Sequence, residues 1–180
     1  MIAFAVILAG CTSDDDRPSF GDLRGDASDM AERVIEKDVT AFADLPTNGS
    51  AIYDGFVVLE AGLPGGEETI AGEITVVANF GNGKVGADIF NLVGENVGDI
   101  DGTISGKGGQ IYRDPVGDAG FRNLNLDGVL EIDGERADFD GEMSGAFLGN
   151  KGDSVVGLIS GDVTIDGEVS DVDGAFIGEK

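Results

Sequence analysis

The sequence contains no histidine and no tryptophan, and its single cysteine is Cys11. Without histidine a chain cannot build a His-assisted serine or cysteine nucleophile, and one cysteine cannot by itself form a disulfide, a zinc site or an iron–sulfur cluster. Because no other nucleophile constellation stands out, we expect a protein that is not an enzyme and that has no metal site and no cofactor.

Basic residues are also scarce, since 11 lysines and arginines stand against 35 acidic residues and give a net charge of −24. Affinity for nucleic acid and for anionic lipid headgroups comes mainly from Lys and Arg, so neither is an expected partner. The acidic excess is typical of a solvated surface that keeps a protein soluble. Steering of a basic partner or of cations is the alternative interpretation.

Proline is rare (4 residues), whereas glycine is abundant (31) and apolar residues make up 41% of the 180-residue chain. This is too apolar for a disordered chain and long enough for one domain with a core. At every second position the residue is either glycine or a large apolar residue, and acidic residues occupy the positions between. This two-residue period is that of a β-strand. One such apolar face consists of Phe139, Gly141, Met143, Gly145 and Phe147, and a second of Val172, Gly174 and Phe176.

About eight runs with this alternation follow residue 50, and turn signals such as Asn82-Gly83, Asp133-Gly134 and Asp166-Gly167 separate several of them. Eight antiparallel strands close into a barrel that side chains just fill. We therefore predict an all-β fold, a single antiparallel eight-stranded up-and-down β-barrel over residues 46–180, with a short N-terminal helix. Its outward faces are acidic, so a porin-type membrane barrel is not expected.

The N-terminus has the features of an export signal. Residues 1–10 (MIAFAVILAG) are apolar and uncharged, and Leu8-Ala9-Gly10-Cys11 resembles the bacterial lipobox, although no Lys or Arg precedes the apolar run. This predicts a lipoprotein signal peptide over residues 1–10, lipidation of Cys11, and a lipid-anchored protein of the outer membrane. A buried cysteine in an N-terminal strand is the alternative.

Two segments connect this anchor to the barrel. Residues 11–26 are polar and include three consecutive aspartates, which predicts a flexible tether. Residues 27–45 contain the helix-like stretch, with Ser28 as its expected N-cap, and we expect this helix to pack against one end of the barrel.

Two motifs invite chemical interpretations that their context does not favour. Residues 81–86 (GNGKVG) match the G-x-G-x-x-G fingerprint, but a strand follows where a dinucleotide site needs a helix, so a hairpin turn is predicted. Several Asp-Gly pairs suggest calcium, but neither a calcium-binding EF-hand loop nor a calcium-binding nonapeptide repeat is present.

The longest predicted loop, residues 107–121, holds Tyr112, Arg113 and Pro115. Tyrosine and arginine are enriched in contact surfaces, which makes these three residues a candidate contact loop. The alternative is an ordinary surface loop.

The sequence resembles transferrin-binding-protein-like bacterial surface lipoproteins in several features. These are the phrases Gly145–Gly149 and Gly174–Gly178, the segment 50–56 (SAIYDGF) after Leu45-Pro46, and the Cys11 motif. The resemblance implies an eight-stranded barrel of the kind found in transferrin-binding protein B and factor H-binding protein. The large receptors carry their transferrin contacts on handle domains. No handle is recognised in this sequence, so transferrin binding is not carried over.

The sequence therefore leaves three functions open. The first is a binding module for an unidentified protein or solute, in nutrient or metal uptake, monomeric and held at the membrane only by its lipid anchor. The second is a structural or protective acidic surface lipoprotein without a specific ligand. The third is a lipocalin-like carrier with a small apolar ligand inside the barrel, against which the alternating Phe/Gly interior argues.

Overall fold

A computed structural model describes residues 17–113 and 118–180 of the chain. Each strand pairs antiparallel with the next, and β8 pairs with β1, so the sheet closes on itself. The predicted eight-stranded up-and-down barrel is confirmed. The elements are α1 (Phe20–Val34), β1 (Ser50–Leu63), β2 (Gly66–Asn79), β3 (Lys84–Gly94), β4 (Gly98–Arg113), β5 (Ala119–Ile132), β6 (Glu135–Leu148), β7 (Ser154–Ile165) and β8 (Glu168–Glu179).

The barrel interior is packed with the apolar residues of the alternating pattern. Phe147 lies at the centre of an aromatic group, with ring centroids 5.7 Å from Phe80, 6.0 Å from Phe121 and 6.1 Å from Tyr53. Phe139, Met143 and Phe176 are also buried. The glycine-rich phrases of β6 and β8 are therefore parts of the inner wall, as the alternation predicts.

The turn signals form hairpins. Asp133-Gly134 and Asp166-Gly167 are two-residue turns in which all four residues have positive φ, between 51° and 87°. Residues 80–83 connect β2 to β3, and the side chain of Asn79 accepts the N–H groups of Gly81 and Asn82. The G-x-G-x-x-G segment is thus a hairpin turn, as predicted.

Strand pairing extends far along the β1–β2 and β4–β5 hairpins. Leu63 of β1 pairs with Gly66 of β2, which leaves a tight turn between them. The predicted loop at residues 107–121 is replaced by the end of β4 and the start of β5, which pair as far as Arg113 and Ala119. Gly109 marks close packing there, since a Cβ atom on it would lie 2.8 Å from the Cβ of Leu124.

The helix begins earlier than predicted, at Phe20, with Ser19 and not Ser28 as its N-cap. The Ser19 hydroxyl accepts the N–H of Asp22 at 3.2 Å, and the Asp22 carboxylate accepts the N–H of Ser19 at 3.3 Å. This reciprocal capping box satisfies two donors at once and starts the helix inside the predicted tether. The residues of that tether up to 16 lie outside the described part of the chain.

The predicted position of α1 at a barrel end is also wrong, because the helix lies along the outer wall. Leu23 packs on Ala71 and Val93, and Val34 packs on Leu148 and Ile177. The barrel end at which β1 begins is covered instead by the segment after α1, where Leu45 joins the core. In the described residues, no helix has the length and apolar character needed to cross a membrane.

Candidate functional site

Mostly apolar side chains form two neighbouring rows across the outside of four strands, β6, β7, β8 and β1. The strand register defines both rows, because directly paired residues point to the same side of the sheet. The first row is Ala146, Val156, Ile177 and Phe56, and the second is Ser144, Leu158, Ala175 and Val58. These rows interrupt the acidic outer face, which carries Asp140 and Asp162 on the same strands.

The helix covers only part of this apolar surface. Its buried residues, Leu23 and Val34, pack on side chains of β2, β3, β6 and β8. Beside the helix a groove of about 1020 Å³ remains open, which we call the wall groove. The helical side of the groove is lined by three small residues, Ala27, Ser28 and Ala31. Arg24 and Ile35 complete this side.

The far side of the wall groove is formed by Tyr112 and Arg122. Tyr112 pairs directly with Gly120 and its ring lies across that glycine, since a Cβ atom there would be 2.6 Å from the Tyr112 hydroxyl oxygen. The Arg122 guanidinium lies 5.5 Å from the centre of the same ring, a cation–π distance. Tyr112 is thereby held between a backbone surface and a cation.

The floor of the wall groove is thin where two glycines pair. Gly145 of β6 lies opposite Gly157 of β7, between Phe121 and Phe176 on the flanking strands. A Cβ atom on Gly145 would lie 2.9 Å from each of the two phenylalanine rings, which therefore fill from inside the space that the glycines leave. The floor is rigid because aromatic packing supports it from below.

The electrostatics of the wall groove differ from those of the rest of the surface. None of the described residues that line it is acidic, although the chain carries 35 Asp and Glu residues. Two of its lining residues, Arg24 and Arg122, are basic, and no carboxylate among the described residues lies within 4.0 Å of either guanidinium. The groove therefore combines an apolar surface with two cations at its sides.

The predicted contact residues separate in the structure. Tyr112 lines the wall groove, whereas Arg113 donates hydrogen bonds to the carbonyl oxygens of Leu45 and Pro46 and fastens the covering segment to the barrel. Pro115 and Cys11 lie outside the described residues, so the contact role of the first and the lipidation of the second stay predictions.

A cluster of charges ties the segment after α1 to the barrel. The Lys37 ammonium donates to Glu179 at 2.9 Å, to Asp153 at 3.2 Å and to the hydroxyl of Ser154 at 2.6 Å. The hydrogen bond from Lys37 lowers the pKa of Glu179 against the opposing effect of burial. Burial also opposes the shift at Asp153, but its hydrogen bonds from Lys37 and Ser154 lower its pKa. The charged groups of this cluster are hydrogen-bonded to one another, so we assign the cluster a structural role.

Glu68 is a buried acid with a structural role. Its carboxylate accepts the backbone N–H groups of Asn96 at 2.7 Å and Val97 at 3.3 Å, and the Asn96 amide at 3.0 Å. Burial acts to raise the pKa of Glu68, but these hydrogen bonds outweigh it and lower the pKa. Glu68 thus holds the β3–β4 turn. Within residues 17–113 and 118–180, no group of three or more acidic, histidine or cysteine side chains is arranged to hold a metal ion.

Sequence reasoning named Tyr112 as a candidate contact residue but missed the wall groove that Tyr112 lines. The available signal was the occurrence of apolar residues at outward positions of the predicted strands, namely Ala146, Val156, Leu158, Ala175 and Ile177. These positions lie on three separate strands, and only their register shows that they are neighbours.

Comparison with solved structures identifies the fold. The chain is similar to a crystal structure of the vaccine antigen transferrin binding protein B from Haemophilus parasuis Hp5, a double mutant, with a TM-score of 0.52 and 16% sequence identity over 79% of this chain. A single mutant of the same protein matches with a TM-score of 0.48 and 15% identity. This chain spans 28% of the length of either structure. No protein-family model and no curated protein matches the sequence significantly.

The predicted resemblance is thus confirmed at the level of the barrel fold. At this identity, a shared fold does not carry binding residues from one protein to the other.

Proposed function

We propose that this protein is a lipid-anchored envelope protein whose barrel is a non-enzymatic binding module, and that the wall groove is its contact surface. The observation that carries the proposal is an apolar groove of about 1020 Å³ with no acidic lining residue among those described, on a protein of net charge −24. A contiguous apolar depression rimmed by polar residues is typical of an interaction site.

The closed barrel supports this role as a rigid scaffold. The groove floor consists of strands that are paired on both sides, and the rings of Phe121 and Phe176 support it from inside. Binding residues held on such elements lose little conformational entropy when a ligand arrives.

The anchor and the location are the finer part of the proposal. The lipobox-like Leu8-Ala9-Gly10-Cys11 motif supports lipidation at Cys11 and a position in the outer membrane. The protein of similar fold is named for transferrin. For this chain we propose the broader role of capturing a protein or solute in nutrient or metal uptake.

Substitution of Cys11 tests the anchor. We expect Cys11→Ser to abolish incorporation of labelled palmitate and to move the protein from the membrane to the soluble fraction, with Ser13→Ala as the control that changes neither. Unchanged membrane association of Cys11→Ser would contradict the lipid anchor.

Photo-crosslinking in the native cell tests the contact surface. Leu158 lies in the wall groove and is 66% exposed, whereas Val169 lies outside it and is 65% exposed. A photo-crosslinking amino acid at position 158 should give a discrete adduct that the same amino acid at position 169 does not.

The alternative is a protective acidic coat without a ligand. Four aspartates that face each other across β5 to β8 favour it, because such a row is costly to fold and gives the surface its charge: Asp127, Asp140, Asp162 and Asp171. Absence at position 158 of any specific adduct, whether to a protein or to a small solute, would support this alternative over the binding module.

A further inference from the structure

We propose that the wall groove binds a single-chain anionic amphiphile of the long-chain fatty carboxylate type. The inference rests on the proposed function, since it names the ligand class of that contact surface. It follows from three features of the groove, namely its apolar floor, its two arginines and the absence of a free strand edge beside it in the described barrel.

The floor suits an alkyl chain. Val58, Ala175, Leu158 and Val156 face outward on adjoining strands and offer hydrocarbon without hydrogen-bonding groups. Each methylene that leaves water on such a surface adds to the affinity. A volume of about 1020 Å³ exceeds the roughly 300 Å³ at which small-molecule pockets begin. The groove can therefore hold a chain of many methylenes.

The two arginines suit an anionic head. Arg122 lies 5.5 Å from the centre of the Tyr112 ring, and Arg24 lies 6.0 Å from that of Phe20, so aromatic faces support both guanidinium groups. A guanidinium matches a carboxylate with two parallel hydrogen bonds. The hydroxyls of Ser28 and Ser144 also line the groove and add neutral donors. A cationic or neutral head would leave the arginines without a counter-charge within 4.0 Å among the described residues.

An extended peptide fits this surface less well. Peptides that bind as strands need an unpaired sheet edge, and each of the eight described strands has a partner on both sides. An extended backbone on the apolar floor would lose its hydrogen bonds to water without replacement. An amphipathic helix satisfies its own backbone, so a helical protein partner is the competing occupant that the experiment must distinguish.

Titration with oleate tests the inference. The full-length Cys11→Ser protein, which carries no lipid of its own on residue 11, is first delipidated. It is then titrated by calorimetry with oleate at concentrations below the critical micelle concentration of oleate. We expect saturable binding. Leu158→Asp should weaken it by more than about tenfold, because it adds a negative charge and removes apolar contact. Val169→Asp, which adds the same charge outside the groove, should leave the affinity unchanged.

The role of the head is tested separately. Arg24→Gln and Arg122→Gln should each weaken oleate binding by up to about fivefold, as for partly exposed ion pairs. Lys107→Gln, an exposed residue away from the groove, should not. Methyl oleate, which lacks the charge, should bind the unaltered groove more weakly than oleate does, and it should be insensitive to both arginine substitutions.

Several outcomes would overturn the inference. One is the absence of saturable oleate binding. Another is oleate binding that Leu158→Asp and Val169→Asp affect equally, and a third is equal affinity for oleate and methyl oleate. A protein adduct at position 158 without oleate binding would overturn the ligand class and keep the proposed contact surface. Absence of both the adduct and the binding would overturn both proposals.

Discussion

The hydroxyl of Tyr53 donates a 2.8 Å hydrogen bond to the carbonyl oxygen of Gly152, which lies 99 positions further along the chain. Both groups are buried, so this bond joins the start of β1 to the β6–β7 turn inside the barrel. We expect Tyr53→Phe to lower the free energy of unfolding by about 1–2 kcal/mol, because the carbonyl oxygen is left without its partner. Urea denaturation at pH 7 measures the change, with Tyr112→Phe as the exposed control. Equal effects of the two substitutions would contradict the assignment.

The same tyrosine makes the stability depend on alkaline pH. Burial, with a further contribution from the negative charge of Asp153, raises the pKa of Tyr53 well above its ordinary value of 10.0. The unfolded chain therefore loses this proton at a lower pH than the folded chain. The contribution of the Tyr53 hydroxyl to stability is complete below about pH 10 and declines as the pH rises further. Unfolding free energies measured between pH 8 and 11 should show this decline, and Tyr53→Phe should reduce it.

Removal of the Lys37 ammonium should destabilise the protein in a pH-dependent way. Glu179 and Asp153 have lowered pKa values because Lys37 donates to both. Their contribution is present above their ordinary pKa values of 4.5 and 3.8, and it is lost as the pH falls through the lowered values. We expect Lys37→Met to cost about 1 kcal/mol or less at pH 7, after allowance for solvent screening, and progressively less as the pH falls below the two ordinary pKa values. Lys107→Met is the control, and a cost that stays constant with pH would contradict the prediction.

The row of aspartates across the outer wall should make the fold sensitive to salt. Asp140 lies directly between Asp127 of β5 and Asp162 of β7. Directly opposed like charges destabilise a sheet, so Asp140→Asn should raise the free energy of unfolding by about 0.2–1 kcal/mol at low ionic strength. Glu67→Gln, at a position opposite Gly62, is the control. The gain should shrink in 1 M NaCl, where the screening length falls to about 3 Å, and a gain independent of salt would argue for a cause other than repulsion.

Addition of one methyl group at Gly157 should disturb the barrel wall. A Cβ atom there would lie 2.0 Å from the carbonyl oxygen of Ser144 and 2.5 Å from the ring of Phe176. The backbone oxygen cannot move aside cheaply, so we expect Gly157→Ala to cost about 1–3 kcal/mol or more by thermal or urea unfolding. Gly65→Ala, where no atom lies within 4 Å, should be close to neutral. A neutral Gly157→Ala would show that the wall is less closely packed than described.

Local patterns in the sequence were sufficient to predict the barrel. The side chains of a strand alternate between two faces, so the spacing of Phe139, Met143 and Phe147 identified the inner wall without knowledge of any neighbour. The positive φ of the Asp-Gly turns is a property of two adjacent residues, and these hairpins were predicted for the same reason. The capping box of Ser19 and Asp22 is equally local and could have been found, but the polar composition and three consecutive aspartates of residues 11–26 favoured a tether.

The wall groove depends on contacts between residues far apart in the chain, which the sequence pattern does not show. Val156, Ile177 and Phe56 come from three strands, and they form one row only because β8 closes on β1 in a particular register. The helix then covers one part of this row and leaves the rest open, which depends on where Leu23 and Val34 find apolar partners on the wall. The alternation of single strands determined which residues are inside the barrel. Only barrel closure and the docking of α1 decided which outward residues meet, because both are set by contacts between residues far apart in the chain.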